Sequence, residues 1–338
     1  MATMDVFRQD PFSLVELSTF VQQMSFRPTL VASLGLYETR SLRTRTAVFE
    51  EYKGTLSLIP FTEIGGAASQ NAAIKGAART FQTHGIRKQD TIWASEVAGI
   101  RARGTESEFR SVQDELALRF KKLRDEVALT QEYHLLNGLA GIVKDAVSGT
   151  TVYDYATEFG ISRPASINLD LLNASPKKGA LRQLLADVRI SVEADLGDLG
   201  GIMPDFEVIC APDLFTALTN HPEVRDAYLA TANAQLLLAK LPEAFSFEGF
   251  TFRRYRAGSG VGVAAGTALV APSGVPGLFT INYSPINSLE FVNTPGEPVY
   301  ARIIQDLDRQ EWVKPEVESR FLPVCSRPQA LRVFTKTA

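Results

Sequence analysis

The chain is poor in the residue types that usually carry chemistry. It has two cysteines in 338 residues, Cys210 and Cys325, far apart and without a C-x-x-C. That excludes a zinc ribbon, a redox dithiol or a disulfide framework as its organising principle. Both thiols are expected reduced and buried. It has three histidines, His84, His134 and His221, with no pair at metal-ligand spacing and no H-E-x-x-H. A zinc site is therefore not expected, and His134 and His221 read as ordinary polar positions. The absence of G-x-S-x-G removes the nucleophile of an α/β-hydrolase. The absence of G-x-x-x-x-G-K-[ST] removes a P-loop. No apolar run reaches ~18 residues, so no membrane-spanning helix is expected. The opening MATMDVFRQDPF lacks the basic-then-apolar order of a signal peptide. A net charge of −3 gives neither the electrostatic footprint of nucleic-acid binding nor a polybasic membrane patch.

Three features imitate chemistry. GSGVGVAAG (258–266) follows a strand-like run, but TALVAPSGVPG comes next, rich in strand formers and stopped by Pro272. A dinucleotide site needs such a loop to feed a helix whose N-terminus holds the pyrophosphate, so this reads as a surface loop. The acidic run with Asp306, Asp308, Glu311, Glu316 and Glu318 reads as a solvated face. The clusters RTRT (43–46), RFKKLR (119–124) and RRYR (253–256) read as surface salt-bridging.

What is present is a pattern of elements. GGAASQNAAIKGAAR (65–79) has ten Gly, Ala or Ser residues in fifteen, between strand-like runs at 46–61 and 79–97. A tight hairpin uses two to five loop residues, so a linker this long is functional, disordered, or ordered by something outside its own domain. Residues 1–44 read as an arm, with Leu14, Leu17, Phe20, Val21 and Met24 at helical spacing before Pro28 breaks the pattern. A helix this short needs a neighbour to bury its apolar face.

The clearest element is 106–141. Phe109, Val112, Leu116, Phe120, Leu123 and Val127 form one helical stripe, Thr105 and Glu108 make a capping box, and Gly138 and Gly141 are natural stops. At 1.5 Å per residue this is a rod of roughly 50 Å, expected to lie across a sheet. Beyond it, 148–161 reads as a strand pair, 175–197 as an amphipathic helix, 206–211 as a buried strand stopped by Pro212, and 214–241 as one or two helices. Strands follow at 245–257, 267–272, 277–284 and 299–307, with two more in 318–337. The class is α+β.

Four stretches in this order resemble the major capsid proteins of tailed bacteriophages, with the Hong Kong 97-type fold, and within them the lambda major capsid protein family. They are LVELSTFVQQMSFRPTLVASLGLYETRSLRTRTAVFEEYKGTLSLIPFTEIGG (14–66), ELALRFKKLRDEVALTQEYHLLNGLAGIV (115–143), FEVICAPDLFTALTNHPEVRDAY (206–228) and WVKPEVESRFLPVCSRPQALRVF (312–334). The resemblance covers nearly the whole chain, and the ordered set carries it rather than any single motif. It implies an N-terminal arm (1–44) and peripheral-domain strands with an extended β-hairpin loop (45–98, tip 62–80). A spine helix of the peripheral domain (99–145), a central axial domain (146–298) and peripheral C-terminal strands (299–338) complete the chain.

It implies a structural protein, not an enzyme, without cofactor or metal. Copies would form pentamers and hexamers of an icosahedral shell around double-stranded DNA, held without sequence specificity, and the shell would expand on maturation. Scaffold, maturation protease, portal and decoration proteins would be partners, with no membrane, and assembly would take place in the host cytoplasm. Intersubunit contacts fall on Ile64, Gly65, Gly66, Gln70, Asn71, Ile74, Lys75, Gly76 and Arg79 of the loop, and on Leu14, Leu17, Phe20, Val21 and Met24 of the arm. Some members of the fold crosslink Lys to Asn; Lys75 and Asn71 invite that reading, but a solvated Lys75 is expected. Two other readings are an encapsulin-like cellular compartment and an α/β enzyme with a cofactor at 258–266.

Overall fold

The computed structural model describes residues 30–53, 75–96, 105–173, 175–197, 204–229, 243–256, 258 and 260–336, with backbone alone at 50–53, 75–78, 105–115 and 228–229. The described chain starts with one helical turn, α1 (Leu30–Ser33), then strand β1 (Glu38–Ser41). Strands β2 (Thr46–Lys53) and β3 (Lys75–Gln82) form a two-stranded antiparallel ladder, in register from Thr46 opposite Gln82 to Lys53 opposite Lys75. The return strand therefore begins at Lys75, and residues 75–80 belong to the ladder rather than to a loop tip. Strands β4 (His84–Gln89) and β5 (Ile92–Trp93) follow.

The long helix α2 spans Thr105–Leu139. Leu116, Phe120, Leu123 and Val127 of its stripe are buried against Ile92, Val299, Ala301, Val313 and Val317. Its last turns turn Leu135, Leu136 and Leu139 into the larger core instead. The rod thus joins two cores, which its length of roughly 50 Å allows. Gly138 does not stop it. A Cβ there would lie 2.5 Å from the Tyr37 hydroxyl, which donates to the Leu135 carbonyl at 2.7 Å. Glycine is required by that close approach.

Strands β6 (Ile142–Lys144) and β7 (Thr151–Asp154) form a hairpin, and helix α3 (Tyr155–Phe159) follows at once. The expected strand pair at 148–161 is thus one strand and one short helix. Asp154 makes the switch: its carboxylate accepts from the Ala156 N–H, and Gly160 at φ 66° closes the turn. After β8 (Ile167–Asn168), helix α4 (Ala180–Leu196) buries Leu181, Leu185, Val188, Val192 and Leu196 as one stripe. Strand β9 (Asp205–Cys210) leads into α5 (Pro212–Asn220) and α6 (Pro222–Leu229). Pro212 sits in the first turn of α5, where its missing N–H costs nothing, so the residue that ends the strand also starts the helix.

The remaining strands are β10 (Ala244–Phe247), β11 (Phe250–Arg254), β12 (Thr267–Ser273), β13 (Phe279–Tyr283), β14 (Tyr300–Gln305), β15 (Trp312–Cys325) and β16 (Arg332–Thr335). Strands β10 and β11 are joined at Glu248 and Gly249, both at positive φ (51° and 78°), as a primed hairpin turn demands. One six-stranded sheet has the order β10-β11-β9-β12-β16-β8. The other is built on β15. Phe321 faces both His84 and Tyr283, and Glu318 faces both Arg87 and Tyr300. A residue has one partner per edge, so β13 and β14 share one edge of β15 while β4 and β5 take the other. Strand β1 extends this sheet by parallel pairing with β13.

Residues 30–44 are not free of their own subunit: Val31 is fully buried and β1 is hydrogen-bonded to β13. The chain also exchanges strands between sheets, since β13, expected in the central region, joins β15, while the last strand, β16, joins β12. Glu316 and Glu318 are buried rather than solvated. They stand on the sheet face away from α2, held by Arg302 at 2.5 and 3.6 Å, with Arg320 3.0 Å from Glu318 and Arg87 3.8 Å from Glu316. Among the described residues, no helix is long and apolar enough to cross a membrane.

Candidate assembly interface: the root of the extended loop

A two-stranded ladder is marginal alone in water, so the β2–β3 hairpin needs an anchor. Its root supplies one. Ala47 and Phe81 face each other in the ladder and are buried. The Phe81 ring meets Phe49, Tyr153, Tyr155 and Phe159 at centroid distances of 5.8, 5.4, 5.6 and 6.0 Å, all edge-on. That is the preferred arrangement for aromatic quadrupoles. The Arg79 guanidinium lies 5.3 Å over Phe159, and the Gln82 N–H donates to the Tyr153 hydroxyl at 3.2 Å. On the opposite face of the ladder, Val48 is 58% exposed. Among the described residues, the hairpin is thus held by one face near its Thr46–Gln82 end.

One residue, Thr83, links β3 to β4. Its N–H and its hydroxyl both reach the Arg45 carbonyl, at 2.9 and 3.0 Å, and its Oγ1 lies 2.7 Å from Ser284 Oγ. The hairpin is therefore pinned where it leaves the sheet.

A second anchor holds the start of the described chain. Glu132 of α2 is buried, and its carboxylate accepts from the N–H groups of Val31 (2.8 Å) and Ala32 (3.2 Å) and from the Tyr255 hydroxyl (3.2 Å). One side chain thereby joins the incoming chain, the long helix and the end of β11. Tyr37 packs on Phe279 at 5.3 Å, and burial raises its hydroxyl pKa well above the ordinary range.

Of the expected contact residues, Lys75, Gly76 and Arg79 lie in β3, opposite Lys53, Tyr52 and Phe49. Ile64, Gly65, Gly66, Gln70, Asn71 and Ile74 lie outside the described residues, as do Leu14, Leu17, Phe20, Val21 and Met24. Glu132 and Thr83 carried no signal in the sequence. Phe81 showed only as an apolar strand position.

The imitations of chemistry resolve structurally. The 258–266 loop closes on itself by the Gly258–Val261 bridge, and Asp213 accepts from the Gly266 N–H at 3.0 Å. It then enters strand β12, with no helix to receive a pyrophosphate. Burial pushes the Cys325 thiol up to about 12 and raises that of Cys210 further. Neither is a nucleophile near neutral pH. His134 and His221 are buried, not the ordinary polar positions expected. Among the described residues, no group of three or more His, Cys, Asp or Glu could hold a metal ion.

A long helix crossing one sheet, a second sheet around a shared core and a hairpin leaving the body at a pinned root define a shell subunit of the Hong Kong 97-like class. The mature capsid of bacteriophage PhiM1 superposes with a TM-score of 0.53 over 93% of this chain and 88% of that one, at 11% identity. The sequence profile described as Phage major capsid protein E matches residues 13–336, and the chain belongs to that family. It is similar to the major capsid protein of Pseudomonas phage KPP10, 26% identical over 322 residues, covering 89% of this chain and 90% of the relative. It is similar also to that of Salmonella phage Felix O1, 25% identical over 357 residues, covering 95% of each. The chain is accordingly a major capsid protein, a subunit of the icosahedral shell of a tailed phage, and the cellular-compartment reading is not favoured.

Proposed function

We propose that the subunit works by lending segments to its neighbours. The β2–β3 hairpin, held on its own body among the described residues through the Phe81 nest, Arg79, Gln82 and Thr83, carries the 54–74 stretch onto an adjacent copy. Its small side chains let backbone approach backbone there. The ordering entropy of that stretch is then offset only on assembly. Leu14, Leu17, Phe20, Val21 and Met24 bury their apolar stripe on another copy. Self-association gives pentamers and hexamers. The single observation carrying this reading is the one-faced anchoring of the described hairpin at its Phe81 and Thr83 end.

In this reading, the sheet built on β15, with α2 and β1, is the peripheral domain, which takes in β13. The sheet containing β9 and β12, with α4 to α6, is the axial domain, which takes in β16. Expansion on maturation is a rigid-body rearrangement about subunit contacts. The subunit carries no catalysis and no cofactor. It assembles in the host cytoplasm with a scaffold, a maturation protease and a portal protein, and then receives a decoration protein. A net charge of −3 suits a wall that encloses DNA without binding it tightly.

The test is deletion of 62–74 with a short Gly-Ser linker between the strands. This preserves the ladder from Lys53–Lys75 inward. Folded subunits that no longer close shells are expected. Normal shells from this variant would refute the reading.

A further inference from the structure

We propose that the joint between the long helix and the loop root is proton-sensitive, with His134 as the titrating side chain. His134 lies on α2 and is 9% exposed, and its Nδ1 makes no hydrogen bond. Its ring stands edge-on to Tyr133 (5.6 Å, 83°) and to Phe321 (5.4 Å, 80°). Phe321 is the β15 residue opposite His84, the first residue of β4 after Thr83. The imidazole therefore seats the helix on the strand pair that pins the hairpin.

The titratable and charged groups around it come from four elements. His84 faces it from β4, with its own ring 5.6 Å from Tyr153 of β7. Arg320 of β15 acts on His84. Asp145, after β6, is the acidic group that acts on His134. Glu132, two residues back on α2, is engaged by Val31, Ala32 and Tyr255. Asp145 is itself engaged by the Val147 and Ser148 N–H groups and the Ser148 hydroxyl, at 3.1, 2.7 and 2.8 Å.

A proton on His134 would place a cation among aromatic rings beside a second histidine. Burial accordingly holds its pKa down, to about 4, with Asp145 opposing and His84 assisting. The sign follows. The opened joint titrates near 6.5 and the closed joint near 4, so the closed form is fully stable above 6.5 and loses stability as pH falls between those values. Below 6.5 opening becomes easier by up to about tenfold per pH unit, roughly 60-fold by pH 4.5 relative to pH 7. At neutral pH the loop root is locked; in acid it is released. That this release alters assembly rests on the shell reading above, but the release itself does not.

The experiment is hydrogen exchange of the full-length unassembled chain at pH 7.0, 6.0, 5.0 and 4.5, corrected for intrinsic rates, on wild type, His134→Phe and His134→Gln. In wild type, protection across 79–89 should fall roughly 60-fold between pH 7.0 and 4.5 while 205–210 holds. Either folded variant should show a flat profile. A flat wild-type profile, acid lability in both variants equal to wild type, or equal loss at 79–89 and 205–210 would overturn the proposal. Particle formation at pH 7, scored separately, reports on the shell reading alone.

Discussion

Replacing Phe81 by alanine isolates the anchoring of the extended hairpin from the stability of the rest of the subunit. Phe81 is 2% exposed and touches four rings between 5.4 and 6.0 Å. Truncating a buried Phe to Ala costs ~3–5 kcal/mol. The lower end applies here, because the part-exposed Phe49 and Arg79 beside the nest can close on the void. About 3 kcal/mol at ~1.4 kcal/mol per decade is roughly a 100-fold rise in local opening. The hairpin crosses to the body through Thr83 alone on the β3 side, so the loss should stay local. Hydrogen exchange by mass spectrometry should show that loss of protection in 46–53 and 75–82, with β9 and β12 unchanged. Shell closure should fail in the same variant. Unchanged protection of the hairpin, or an equal loss throughout the molecule, would refute the reasoning.

Three further outcomes are expected. Glu132→Ala leaves the buried Val31 N–H and Tyr255 hydroxyl, and the part-buried Ala32 N–H, without their acceptor, at ~1–3 kcal/mol per buried orphaned group less local relaxation, so Tm should fall by several degrees. Gly249→Ala puts a Cβ against Arg189 Nη2 at φ 78°, and should cost more than ~1 kcal/mol in denaturant unfolding. Cys210 and Cys325 are fully buried with raised thiol pKa values, so neither should react with a disulfide reagent at pH 8 until the chain is unfolded, when both should.

The parts legible in the sequence are those whose signal is local. Leu116, Phe120, Leu123 and Val127 repeat at helical spacing because one face of α2 lies on a sheet, and the structure buries all four. The apolar run at 206–210 reads as a buried strand because β9 is paired on both edges. What was missed is held by distant partners. Residues 30–44 read as an arm because they have no strong period, yet Glu132, about a hundred residues away, binds their backbone. β16 follows β15 closely but crosses to the other sheet, and strand alternation carries no information about which sheet a strand joins. Glu316 and Glu318 look solvated beside other acidic residues, but Arg302, Arg320 and Arg87 neutralise them. The loop root was half legible: the strands were, while Thr83 and the Phe81 nest depend on Tyr153, Tyr155, Phe159 and Ser284.

The central claim is that this subunit builds a closed shell by exchanging segments with its copies. Negative-stain microscopy with sedimentation, on the chain expressed alone and together with the proposed scaffold protein, tests it most directly. The intact chain should give shells, tubes, or rings of five and six subunits, and folded subunits without closed shells once 62–74 is removed. A discrete dimer or tetramer with nothing larger under both conditions would contradict it.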